Sequence, residues 1–270
     1  MYMETIRKPT KDLIKILRTT DGKIDLGPVC FTYPIMILPL AALISEKSLK
    51  YILPNDPNCA DYLKYFNFPD GFTKISPSPK YIPIYRFSAS KGDEKSITDK
   101  SNILKNLLDI CLKKIGSPSG SVNALYISVD EIISNIEDHS EARNGWINAQ
   151  YYKTKQYLDI CIVDRGITIN GKYRKVGKNF GNDSEALKCA LRGESAKPEK
   201  IRGSGLPTFT KMVTQGFKGE MIIISGDAIV YASEKENPLV QKLSVRWDGT
   251  IVAFRIPKNA QPIDYSLYID

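Results

Sequence analysis

Three groups of residues have the types and spacing for chemistry. Glu131, Asn135 and His139 recur every four residues in DEIISNIEDHS, which places them on one stripe of a helix. The Asn amide oxygen suits a Mg²⁺ ion otherwise held by phosphate oxygens and water. A glutamate one turn away can take a proton from water or from an acceptor hydroxyl. Asp164 and Gly166 close the apolar run of ICIVDRGITI. A carboxylate there can accept a hydrogen bond from an exocyclic amine such as adenine's, worth about 1.5–3 kcal/mol when charge-assisted. Gly203, Ser204, Gly205 and Leu206, in IRGSGLPTF, precede a helical pattern. Exposed backbone N–H groups and a helix start favour phosphate there, and Lys197, Lys200 and Arg202 would neutralise the outer phosphates. The spacing matches neither GxxxxGK[ST] nor GxGxxG, which excludes the Walker and dinucleotide-binding readings. Taken singly, the first two groups also read as ordinary structure: a polar helix face with a capping histidine, and a strand-to-loop turn.

The elements that must position them are legible from periodicity. Leu125, Val129, Ile132, Ile133 and Ile136 recur at helical spacing over Val122–His139, and Ile97–Lys114 carries a similar pattern. Strands are predicted at Gly145–Tyr152, Gln156–Val163, Gly219–Ser225, Ile229–Ala232 and Thr250–Ile256. Leu206–Thr214 reads as a helix. Thr168 to Gly205 reads as a long lid or binding loop with one short helical piece at Glu185–Leu191. In the first hundred residues, helices are predicted at 10–20, from Pro39 to Lys50 and within NCADYLKYFNF. A buried strand is expected after Asp21 and another at Leu49–Leu53. The proline-rich SPSPKYIPIYRF suits an edge strand or connector. The polar run KGDEKS marks the best boundary, dividing the chain into 1–92 and 93–260 with a tail at 261–270.

Bulk properties narrow the class. The chain has 270 residues, 42% hydrophobic and 25% charged, as in an ordinary globular protein. The formal charge is +8, but the basic residues are dispersed. Their densest run (Lys172, Arg174, Lys175, Lys178) suits a solvated loop or phosphate contacts better than nucleic acid. Five cysteines without CxxC spacing fit free thiols in a reducing compartment, and a single histidine excludes a multi-histidine metal site. Leu26–Ser45 lacks charge and is long enough to span a bilayer. Pro28, Pro34 and Pro39 interrupt it, so a buried strand and helix are predicted instead. The polar start METIRKPTKDL reads as no signal peptide. A cytoplasmic protein with no membrane span is expected.

The three groups in this order resemble the Bergerat ATP-binding fold of the GHKL superfamily, which includes gyrase, histidine kinases and anti-sigma-factor kinases. The resemblance covers roughly 98–258. It implies an α/β sandwich, a mixed sheet with helices on one face, that binds ATP and Mg²⁺. Glu131 would then be the catalytic acid–base and Asn135 the magnesium ligand. Asp164 would bind adenine within a D-x-G-x-G motif, Gly203–Leu206 would form the phosphate loop, and Thr250 would be the adenine-supporting threonine of a late strand. The motif's second glycine is Thr168 here. ALRGESAK resembles lids of the anti-sigma-kinase branch, which makes Ser195 and Lys197 candidates for the outer phosphate. IDLGPVCFTYPIMILPLAALI followed by ADYLKYFNF resembles a smaller STAS-like α/β domain, without a serine in the turn before its helix. Two functions follow from the resemblance. One is Mg-dependent ATP hydrolysis or nucleotide-gated regulation through a protein partner. The alternative is an anti-sigma-type serine/threonine kinase acting on a STAS-like partner. A sensor histidine kinase is not expected, because the only histidine lies in the pocket helix. A nucleic-acid scaffold is not expected either, because Glu131, Asn135 and Asp164 are all intact.

Overall fold

The computed structural model describes residues 5–116, 118–194, 205–258 and 261–268. The chain runs α1 (Arg7–Arg18), β1 (Lys23–Asp25), α2 (Pro34–Lys47), β2 (Lys50–Ile52), α3 (Pro57–Tyr65), β3 (Tyr81–Ser88), α4 (Glu94–Ile110), α5 (Ser121–His139), β4 (Asn144–Tyr152), β5 (Tyr157–Asp164), α6 (Ile169–Lys175), α7 (Asp183–Leu191), α8 (Gly205–Lys211), β6 (Glu220–Ser233) and β7 (Glu236–Pro257). One π-helical turn follows α4 and another follows α8.

The main sheet has five strands in the order β3-β4-β5-β7-β6, and every pairing in it is antiparallel. The expectation of a mixed sheet is corrected here. Short turns join β4 to β5 and β6 to β7, and a tight connection returns its strand antiparallel. Among the described residues, the parallel strand pair, β1 with β2, forms a separate two-stranded sheet connected through α2.

α4, α5 and α8 pack on one face of the main sheet, and the helices before β3 cover the other. Side chains alternate along a strand, and here both sets are apolar: β5 is buried at every position. Ile160 and Ile162 pack with Ile132 and Ile136 of α5, Phe209 of α8 and Leu107 of α4. Cys161 and Val163 face the other way, onto Leu38, Leu40 and Ala41 of α2 and Leu13 of α1. α2 explains the charge-free stretch. Pro34 to Ile44 are all buried, so this helix is apolar all round because it lies inside the protein. It starts at Pro34, five residues before the predicted start. Pro39 sits inside it; burial of the surrounding Ile37, Leu38 and Leu40 outweighs the helix-breaking cost of about 3 kcal/mol. Among the described residues, no helix is long and apolar enough to cross a membrane.

The expected division at 92 is crossed by this architecture. β3, on its N-terminal side, is the edge strand beside β4, and the helices before it cover the sheet. Asn148 mends the ladder near Pro83, its side-chain amide donating to the Ile82 carbonyl at 2.7 Å. The segment expected to be a tail is docked in its described part. Ile263 is 5% exposed, its amide donates to the Ser119 carbonyl, and the Tyr268 carbonyl accepts from Thr208.

Candidate functional site

The strand register builds the first half of the site. Asp164 of β5 lies opposite Thr250 of β7, and Thr250 lies opposite Ser225 of β6. By alternation this row shares the face of Ile162, Val252 and Ile223, the face that α5 covers. The Asp164 carboxyl is buried and accepts hydrogen bonds from the backbone amides of Gly166 and Thr250. Burial pushes its pKa up to about 7; those two amides oppose the shift, Glu46 adds to it and Arg165 opposes it. A buried carboxyl with a strongly raised pKa is a candidate feature of a functional site.

Two glycines make this geometry possible by close approach. A Cβ on Gly166 would lie 1.8 Å from the Ser140 carbonyl oxygen. Only glycine lets the 165–167 loop press on the end of α5, where the Ile167 amide donates to that oxygen. Gly249 adopts φ +99°, and a Cβ there would meet the Asp164 carbonyl oxygen at 2.3 Å. The register between β6 and β7 shifts on both sides of Gly226, and such a bulge re-aims side chains. Trp247 Nε1 thereby donates to the Asp164 carbonyl at 3.1 Å, and Arg246 reaches Asp183 at 2.6 Å.

Thr168, which stands where the resemblance calls for glycine, takes φ −71° and caps α6, its hydroxyl accepting from the Gly171 amide at 3.0 Å. No left-handed backbone is needed there, so a capping threonine is the better residue.

α5 carries the second half. Asn135 Nδ2 donates to Glu131 Oε1 at 3.0 Å, and both side chains are half-buried. A Cβ on Gly205 would fall 1.7 Å from the same Glu131 oxygen, so the start of α8 touches the carboxylate directly. His139 is half-buried in the last turn of α5, next to the Ser140 carbonyl that anchors the 165–167 loop. Leu206 packs against the core as an apolar side chain of α8. Ser195, Lys197, Arg202, Gly203 and Ser204 lie outside the described residues.

Sequence reasoning missed four contributors. Asp183 at the start of α7 accepts from Asn170, from the Asp227 amide and from Arg246. Burial works against its charge, but those three donors hold its carboxyl below the usual value. α6 and α7 are therefore fixed to the β6–β7 hairpin, and Tyr173, Ala186 and Leu187 are buried beneath them. The stretch expected to be one long lid thus holds two anchored helices before Glu194, with 174–179, from the end of the first into the connection between them, exposed. Ser225, Arg246 and Trp247 are the other three. Each is placed by cross-strand register or by the bulge, and neither leaves a local motif.

No protein-family model matches the chain, and neither a curated protein nor a solved structure matches it.

Proposed function

We propose that this chain is a cytoplasmic GHKL-type protein that binds ATP with magnesium and hydrolyses it. The observation that carries the reading is the Asp164 carboxyl, buried on the α5 side of the sheet in register with Thr250. A buried acceptor at that position suits the amine of adenine, and the loss of a base that cannot donate would leave it unpaired. Beyond it, Glu131, Asn135 and Gly205 meet where α5 faces the start of α8. Their polarity and glycine content suit phosphates.

The donor set fits magnesium. With its amide nitrogen committed to Glu131, Asn135 has its oxygen left for an ion. One protein oxygen is a usual share for an ion whose other ligands are phosphate and water. Bound magnesium would neutralise charge on the phosphates and polarise the terminal phosphoryl group. Glu131 would orient the attacking water and take its proton as the bond to the terminal phosphorus forms. The bond to the bridging oxygen breaks and ADP departs. In this reading Glu131→Gln abolishes phosphate release while the affinity for Mg-ATP stays within about threefold. Loss of binding along with turnover would remove Glu131 from this role.

The kinase alternative uses the same residues, with an acceptor hydroxyl in place of water. Thr32, in the turn before α2 of this same chain, is poorly placed to be that acceptor: it lies beside Tyr152 at the far end of β4. β5 alone separates that end from Asp164 by roughly 23 Å at the usual strand rise. In this alternative the acceptor is a separate STAS-like partner. Labelled ATP distinguishes the two outcomes: free phosphate for the hydrolase, labelled partner for the kinase.

A further inference from the structure

We infer that Ser225 makes the pocket selective for a 6-aminopurine by fixing the direction of the Thr250 hydroxyl proton. The inference rests on the adenine-site reading above and concerns a residue that reading does not use. Ser225 is 2% exposed and is the third member of the Asp164–Thr250–Ser225 row. Its Oγ accepts from the Ile169 amide at 2.9 Å and donates to the Gly249 carbonyl at 3.0 Å. The loop after β5 and the backbone just before Thr250, which flank Asp164, are therefore fastened to one hydroxyl.

A serine hydroxyl has one proton and two lone pairs. The proton goes to Gly249 and one lone pair to Ile169. What remains is a single acceptor position, and Thr250 Oγ1 is the hydroxyl near it, at 3.4 Å. In that arrangement Thr250 is the donor of the pair. With its only proton turned toward β6, Thr250 presents lone pairs to the rest of its surroundings. It stands directly across the ladder from Asp164, whose carboxyl, once ionised above pH 7, also only accepts. Two neighbouring acceptors favour a ring that donates there, as the amine of adenine does. They reject one that offers a carbonyl, as hypoxanthine and guanine do. A purely structural serine would hold the two segments but would leave the preference between amino and oxo bases unchanged.

The test compares ATP with ITP, which replaces the 6-amine by a carbonyl, in titrations of the full-length protein. Wild type is expected to prefer ATP. Ser225→Ala should narrow the ATP:ITP affinity ratio by about five- to tenfold, the value of one neutral hydrogen bond, and Ser225→Thr should restore it. An unchanged ratio in folded Ser225→Ala, even with both affinities lowered, overturns the inference while leaving the adenine site standing. Thr250→Val removes the hydroxyl itself and covers the case in which Ser225→Ala does not fold. It should narrow the ratio to the same extent, and an unaltered ratio there also overturns the inference. If wild type binds neither nucleotide, the ATP reading falls and the inference falls with it.

Discussion

Asp164 concentrates the conflict between binding and stability in one side chain. Its carboxyl has a pKa of about 7 in the fold against an ordinary 3.8. Below pH 4 it is neutral in both the folded and unfolded chain and imposes no cost. As pH rises through 4 to 7 the unfolded chain ionises first, and stability falls. Above pH 7 the fold carries the full cost, on the order of 4 kcal/mol for a shift of this size. Asp164→Asn keeps an acceptor for the Gly166 and Thr250 amides and removes the charge. It should raise Tm by several degrees at pH 8 and by much less at pH 5, as calorimetry at the two pH values would show. An equal shift at both would mean that charge burial is not the cause. At this scale, Glu131, Asn135, Asp164 and Thr250 could be singled out as candidates because each sits in a local pattern. Thr168 has an ordinary φ of −71°, so its backbone does not require glycine. Ser225 and Asp183 were not legible, because their partners lie 13 to 63 residues away in sequence.

At the scale of elements, two glycines set how helices approach the site, and they should fail differently. Gly166 is pressed against the Ser140 main chain, which cannot yield without moving the end of α5. Gly205 is pressed against the far end of a glutamate side chain, which can swing away. Gly166→Ala should therefore cost about 2 kcal/mol or more of stability in urea unfolding. Gly205→Ala should unfold nearly as wild type but lose phosphate release about tenfold or more, through a displaced Glu131. The reverse pattern would contradict these contacts. α5 was predicted to within a residue because its apolar repeat is strong. Most of β7 before Thr250 was missed, since 236–246 is largely exposed and carries no alternating apolar pattern. α6 was missed for a similar reason: with Asn170 and Tyr173 as its buried residues, it leaves little periodicity to read.

Across the whole molecule, the N-terminal third is a layer of the fold. Its cover over the sheet includes a charged row. Asp159 and Arg255 are opposite each other on β5 and β7, paired through both guanidinium–carboxylate hydrogen bonds at 2.6 and 2.8 Å, and 2% and 1% exposed. Glu220 continues the row on β6 and accepts from the Ile6 amide at the entry to α1. A buried ion pair is costly to break from one side. Asp159→Asn should therefore lose about 3–5 kcal/mol, while joint replacement by leucine and methionine should stay within about 2 kcal/mol of wild type. Matched losses in the two denaturation curves would refute that assignment. The sequence announced an apolar N-terminal segment but gave no sign of where it packs. Sheet order and layer contacts depend on long-range pairing that local patterns do not encode.

The claim on which the functional account depends is that Asp164 accepts from adenine. Calorimetric titration of the full chain with Mg-ATP, alongside Asp164→Asn, tests it most directly. Saturable binding by wild type and a loss of about tenfold or more in the folded variant is the predicted result. Equal affinity in the two proteins, or no heat of binding in either, would contradict it.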